Sequence, residues 1–446
     1  MLTISKPLFV YLQRPDNGEW VTVGRYQAGT VARPGSFKYA PSYVDAGLTW
    51  AIDPVNLPFR SGNEQPAPRY DGLHDVLRDA CPDAWGQALL RREHNLPEGT
   101  NLARFLILAG NADRWGALAI GTRPAPSVAQ LATPKLTQLS KLVRELAAMS
   151  EHRPAVDVQL RRRLVQAASP GGARPKATLR DDEGRYWLVK PQIASDVTDI
   201  PVLEHVGQQW GAASGLDFAA TVLHPASEGR SAVRVLRFDR MDERRLMCVS
   251  AASLLQAEYP GGPAQTDRWS YPRLAEELRI IGAPVEDRRE LFGRMVFNAV
   301  CGNDDDHVRN HAVVYRHEQR RWRLAPAFDV VPNPLETPRM LTMQLSTGRF
   351  DISRSAALGD AHRFGFGDAD EAGRYLDLLL MRFIEGFDRV AHSLSPEWRE
   401  TMRARMRHNV ALLGSTDSLL LSDAARAELN LPTRGKAKRR GIDVTE

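Results

Sequence analysis

Between Leu291 and Val331 the sequence changes character several times. Leu291 to Cys301 is an apolar run with the spacing of a buried helix. It gives way to Gly302-Asn303-Asp304-Asp305-Asp306-His307-Val308-Arg309-Asn310-His311, the densest polar cluster in the chain. Ala312 to Tyr315 reads as a strand, Arg316 to Arg320 as a turn and Trp322 to Leu324 as the returning strand. Ala325-Pro326-Ala327-Phe328-Asp329-Val330-Val331 follows, so an acidic residue lies just beyond the hairpin.

Phosphoryl transfer needs that layout. One carboxylate orients the attacking hydroxyl, while an amide and a second carboxylate hold the metal that bridges the phosphates. Protein kinases carry the first carboxylate and the amide on one loop, with about four residues between them. Asp305 and Asn310 have that spacing; Asp304 and Asp306 do not. Asp329 stands where the metal carboxylate would, although Val330 and Val331 replace the phenylalanine and glycine that follow it in kinases. The bland alternative is a solvated aspartate-rich loop. A calcium loop is excluded, because its acidic register and closing glutamate are missing.

The nucleotide side should lie upstream. Gly171-Gly172 offers backbone N–H groups to phosphates, and Lys176 adds charge. This is no Walker A loop, since GxxxxGK[ST] is unmatched. Two glycines could equally be a plain hairpin turn. Lys190 ends the strand-like run Tyr186 to Val189 and either snorkels to solvent or points inward to phosphate oxygens. Glu204, on the helical stretch Val202 to Gly215, is its candidate partner, against the alternative of an ordinary surface glutamate. Leu236 to Phe238 falls where a hinge would meet adenine, or else is a strand end in a core.

The remaining sequence places these pieces. Leu8 to Leu12 and Trp20 to Tyr26 read as a β-hairpin, Leu73 to Arg92 as a helix split by Pro82, and Thr122 to Lys135 as a linker. From Arg273 onward helical periodicity dominates. The expected fold is α+β, and the expected divisions are 1–125, 126–240, 241–432 and a basic tail 433–446. The tail reads as solvated; a nucleic-acid contact is the sharper alternative. A length of 446 residues fits two or three lobes, and 43% hydrophobic with 25% charged residues excludes wholesale disorder. The net charge of +5 permits an acidic partner without demonstrating one. Cys81, Cys248 and Cys301 are scattered, which supports neither a disulfide framework nor a zinc cluster. With no signal-peptide pattern and no long apolar stretch, the expected location is the cytoplasm, with no membrane partner.

Taken in order, Gly172 to Lys176, Lys190, Arg237-Phe238-Asp239-Arg240, Gly302 to Asn310 and Ala325 to Asp329 resemble the HipA-type toxin kinase family. Cys81-Pro82-Asp83-Ala84-Trp85-Gly86 looks like part of that family's N-terminal subdomain. The resemblance runs from about residue 8 to about residue 415. It implies a protein-kinase-like bilobal core, with a β-rich N-lobe, a helical C-lobe and an additional N-terminal β-rich subdomain. It implies a serine/threonine protein kinase using ATP and Mg2+. By matching position, Asp305 is the catalytic carboxylate, and Asn310 and Asp329 are the metal ligands. The implied ATP-binding residues are Gly171, Gly172, Ala173, Arg174, Lys176, Lys190, Leu236, Phe238, His307, Asn310 and Asp329. Ser169 falls at the position that is autophosphorylated, to inactivating effect, in the family. An added charge of about −1.5 to −2 there would repel ATP or expel the loop.

Members of the family are restrained by a small helix-turn-helix antitoxin, and the pair can bind operator DNA. The resemblance therefore implies DNA contact mainly through the antitoxin. Some members phosphorylate aminoacyl-tRNA synthetases and so halt growth. Pro170, Arg174-Pro175 and the aspartates flanking Asp305 depart from some members and leave regulation and substrate choice open. The alternatives are a small-molecule phosphotransferase and a non-catalytic kinase-like co-repressor acting with a DNA-binding antitoxin.

Overall fold

The computed structural model describes residues 6–29, 33–67, 69, 72–166, 172–227, 230–258, 261 and 263–415. Ser169, Pro170, Gly171 and the basic tail lie outside these residues. Leu8–Gln13 (β1) and Trp20–Gln27 (β2) form the expected antiparallel hairpin. Gly35–Tyr39 (β3) and Gln65–Ala67 (β4) extend it on one side, and Leu118–Gly121 (β5) pairs with β1 on the other. The order is β4-β3-β2-β1-β5. Alternation along β3 buries Gly35, Phe37 and Tyr39. The helices Pro41–Asp45 (α1), Asp75–Asp79 (α2), Ala84–Glu93 (α3) and Leu102–Leu108 (α4) lie between these strands in sequence. Pro82 separates α2 from α3, and the Asp83 carboxylate caps α3 by accepting from Gly86 N–H at 2.7 Å.

Leu139–Ser150 (α5) and Val158–Gln166 (α6) lead into a second antiparallel sheet. Its strands are Ala177–Arg180 (β6), Tyr186–Pro191 (β7), Thr221–Ser227 (β8) and Arg230–Leu236 (β9), in the order β6-β7-β9-β8. Ile200–Ala213 (α7) connects β7 to β8. Trp187 and Val189 pack in one cluster with Leu142 and Leu146 of α5. Because side chains alternate along a strand, Lys190 is thereby turned to the opposite face, towards α7.

Arg240–Met241 (β10) and Arg244–Arg245 (β11) make a small hairpin, and Cys248–Ser250 (β12), Ala312–Arg316 (β13) and Arg321–Leu324 (β14) a third sheet. The rest is helical: Ala251–Leu254 (α8), Tyr271–Ile280 (α9), Val285–Cys301 (α10), Arg354–Leu358 (α11), Ala369–Val390 (α12) and Pro396–Leu413 (α13). The buried helix α10 ends at Gly302, whose φ of +74° is the left-handed conformation that closes a helix and redirects the chain. At the other end of α10, Asp287 accepts from Arg323 Nη2 at 2.7 Å and from Leu324 N–H at 2.8 Å. Both ends of one rigid helix thus fix the polar loop and the hairpin after it. Val10, Leu12 and Phe37 of the first sheet belong to the same continuous core as Phe297, Phe383 and Met402. The architecture is α+β, with β-rich N-terminal parts and a helical C-terminal part.

Candidate active site

Lys190 is the electrostatic centre of the site. Its Nζ donates to Glu204 Oε1 at 2.5 Å and to Asp329 Oδ1 at 2.6 Å, which resolves the open reading of Glu204 in favour of pairing. Burial works against the Lys190 charge, but the Asp329 and Glu204 carboxylates outweigh it and hold the ammonium above its ordinary range. Burial likewise opposes the Asp329 charge, and the Lys190 and Lys176 ammonium groups overcome it and hold the carboxyl low. Glu204, buried and facing a second carboxylate, is pushed upward. Asp329 has φ +59°, a left-handed conformation that aspartate tolerates better than most residues. Just before it, Phe328 packs against Phe238 with ring centroids 5.2 Å apart.

The polar loop separates its aspartates sharply. The Asp305 side chain is 69% exposed, whereas Asp306 is 1% exposed. Asp306 accepts from Tyr271 O–H at 2.7 Å and from Thr342 N–H at 2.8 Å, and burial lifts its carboxyl to about 7. Asp304 accepts from the Asn333 side-chain amide at 3.0 Å. Asp304 and Asp306, which flank Asp305, are both tied down as braces of the loop. Asn310, buried, donates to the Asp305 backbone carbonyl at 2.8 Å. Its amide group thus pins the loop at the residue beside which it would serve. His307 Nε2 lies 3.6 Å from Asp305 Oδ1, too far for a hydrogen bond. Burial lowers its imidazole to about 4, so it faces Asp305 uncharged.

In the segment expected to meet the nucleotide, Gly172 adopts φ +101°, open to glycine and strained for other residues. Ala173 follows it at the approach to β6. Arg174 makes a two-pronged pair with Asp196 at 2.5 and 2.6 Å, so its charge is already matched. Lys176 is buried rather than presented on an open loop, 3.5 Å from Asp83 of the α3 cap. Leu236 ends β9 opposite Trp187 and packs on the cluster that holds α5, while Phe238 reaches Phe328 and Trp115. The backbone there is anchored by Arg237 N–H donating to Tyr186 O at 2.9 Å.

Sequence reasoning missed how this region is joined to the first sheet. Arg237 pairs with Asp113, donates to Thr178 Oγ1 at 2.7 Å and chelates Asp239 through Nε at 2.9 Å and Nη2 at 2.8 Å. Asp239 also accepts from Gly116 N–H at 2.9 Å and Arg240 at 2.5 Å. All these side chains are buried or nearly so. Arg237-Phe238-Asp239-Arg240 was visible in the sequence, but its partners Asp113 and Thr178 are too distant in the chain for spacing to reveal.

Among the described residues no group of three or more His, Cys, Asp and Glu could hold a metal. A magnesium ion bound with a nucleotide needs only one or two protein ligands, because phosphates and water complete its shell. Asp329, an ionised carboxylate with a third of its side chain exposed, suits that role together with Asn310.

The HipA-like C-terminal domain family matches residues 168–398, more than half of the chain. The chain belongs to that family. The family's matched span contains Lys190, Glu204, Asp305, Asn310 and Asp329, and the first sheet lies outside it. No curated protein matches the sequence. Among solved structures, HipA in the Shewanella oneidensis MR-1 toxin–antitoxin complex of HipA, HipB and operator DNA is similar in fold. It covers 91% of this chain and 98% of its own, at 15% identity and a TM-score of 0.65. The Helicobacter pylori proinflammatory kinase CtkA matches 53% of this chain and 90% of its own, at 13% identity and a TM-score of 0.38. Among the described residues no helix is long and apolar enough to cross a membrane.

Proposed function

We propose that this chain is a toxin kinase that moves the γ-phosphate of ATP to a serine or threonine of a cellular protein. The observation that carries the reading is the buried Glu204–Lys190–Asp329 arrangement combined with a braced loop whose exposed carboxylate is Asp305. In this reading the substrate oxygen bonds to the γ-phosphorus as the bond to the bridging oxygen breaks. ADP leaves, and the alcohol proton passes to the Asp305 carboxylate. Lys190 holds phosphate oxygens, and the segment from Gly171 to Lys176 covers the nucleotide phosphates. Leu236, Phe238 and His307 line the nucleotide site. Mg2+, held by Asp329 and Asn310, would supply charge neutralisation of the phosphates when bound.

The domain reading that accompanies this is residues 1–125 as an N-terminal subdomain, 126–240 as the N-lobe, 241–432 as the helical C-lobe and 433–446 as a tail. HipB accompanies HipA in the Shewanella complex. By analogy the partner here is a small helix-turn-helix antitoxin making the main DNA contacts, in the cytoplasm, with Ser169 as the inactivating autophosphorylation site. Incubating the protein with γ-labelled ATP, Mg2+ and cell lysate tests the reading. Label on a protein band, lost in Asp305→Asn, is expected. Label only on small molecules would favour a small-molecule phosphotransferase, and no magnesium-dependent ATP binding by calorimetry would overturn the proposal. Mass spectrometry of active protein that finds phosphate elsewhere with Ser169 unmodified would reject that site.

A further inference from the structure

We infer that Asp83 is a positioning residue for the nucleotide site: from outside the second sheet it holds the Lys176 ammonium and, through it, the glycine-rich segment. Its effect on ATP rests on the kinase reading above; its effect on the segment does not. The Asp83 and Lys176 side chains are 3% and 2% exposed and 3.5 Å apart, so neither charge has bulk water to fall back on. One Asp83 oxygen is committed to Gly86 N–H at 2.7 Å, and Oδ2 is the oxygen that faces Lys176.

Two further contacts extend the hold. Trp85 N–H, two residues on, donates to Gly172 O at 3.4 Å. A Cβ placed on Gly172 would stand 2.4 Å from Lys176 Nζ, so the ammonium lies directly against the Gly172 backbone. Asp83, Trp85, Gly172 and Lys176 therefore form one closed contact, with α3 as its rigid base. Burial raises the Asp79 and Asp83 carboxyls, and on the other flank Arg309, next to Asn310, is near enough for its charge to oppose that rise in part. The segment from Asp83 to Trp85 thus abuts the glycine-rich segment.

The physical consequence is preorganisation. Burial lowers the Lys176 ammonium, Asp83 opposes that most, and Asp329 and Glu204 also lie within electrostatic range. Without Asp83 its flexible stem could swing towards those carboxylates and away from incoming phosphates. With Asp83 the charge is already in place, and phosphates meet it without rearrangement. Asp83 touches no reacting atom in this account and acts only through Lys176.

The test uses the full chain with Asp83→Asn, Lys176→Met and the double variant. Asparagine caps a helix about as well as aspartate, so Asp83→Asn removes the charge while keeping the start of α3. Hydrogen exchange at the amides of Gly172, Ala173, Arg174 and Lys176 is read first, in the nucleotide-free protein. Asp83→Asn should raise it about tenfold, the scale of one lost polar contact, with little change in exchange along α3. Unchanged exchange overturns the inference. If Asp83→Asn fails to fold, Lys176→Met breaks the same contact from the other side with an apolar stem and carries the same exchange test. Calorimetry with MgATP is read second. Each single variant should weaken binding about tenfold, and the double variant no further than Lys176→Met alone, because Asp83 acts through Lys176. Losses that multiply in the double variant overturn the inference. A wild-type protein that binds no MgATP defeats the kinase reading instead, and the exchange result then decides the role of Asp83 by itself.

Discussion

Two neighbouring carboxylates should respond in opposite ways to the same small change. Asp305→Asn and Asp306→Asn each replace one oxygen by an amide nitrogen. The Asp305 side chain is 69% exposed, and substitutions at such sites usually shift stability by no more than about 0.5 kcal/mol. Its expected effect is on rate: losing a base that accepts the substrate proton costs about 10²- to 10⁴-fold, or about 3–5 kcal/mol in barrier. Asp306 is 1% exposed and its carboxyl is lifted by burial to about 7. A folded-state pKa above the unfolded value means stability that is present at low pH and lost as pH rises through the folded value. The lift from 3.8 to about 7 corresponds to a loss on the order of 4 kcal/mol once the group is fully ionised. Wild-type melting temperature should therefore fall as pH rises from about 4 to about 7, and Asp306→Asn, which cannot ionise, should flatten that fall. Transfer of labelled phosphate to lysate protein, together with melting curves at the two pH values, reads both effects. An Asp305→Asn protein with near wild-type transfer, or an Asp306→Asn protein with the wild-type pH slope, would refute the division between them.

Lys190→Met should abolish MgATP binding and destabilise the fold by about 2–4 kcal/mol. That is below the usual cost of breaking a buried pair, because Asp329 is partly exposed; denaturant titration and calorimetry check it. Arg237→Met should cost about 3–5 kcal/mol in denaturant unfolding, since it strips buried Asp113 and Asp239 of a shared guanidinium. Gly172→Ala should weaken ATP binding measured by calorimetry, because its methyl group would displace the Lys176 ammonium and the residue would be held at φ +101°.

The elements bearing the site were readable because each has a strong local signature. The α10 periodicity, the Asp305–Asn310 spacing and the strand ending at Lys190 need no distant information. The orientation of Lys190 was not readable, because it depends on Trp187 and Val189 packing against α5 rather than on Lys190 itself. The braces of the polar loop were hidden for the same reason: Tyr271, Asn333 and Thr342 come from elements on either side of it in sequence. Asp304, Asp305 and Asp306 look alike in a sequence, and only burial tells them apart. Strands β3, β4 and β5 were missed because each is short: β4 and β5 run to three and four residues, and the alternation of β3 rests on Phe37 and Tyr39 alone.

The half-buried Asp79 carboxylate accepts from Ser250 N–H at 2.9 Å, Ser250 Oγ at 2.7 Å and Ser253 Oγ at 2.7 Å. On a ribosome adding about 5–20 residues per second, Asp79 emerges many seconds before its serines exist. Until then Asp79 of α2 is satisfied only by water, and the apolar residues of the first sheet that join the later core have no cover. A cell that slows elongation lengthens that exposed interval for every copy it makes.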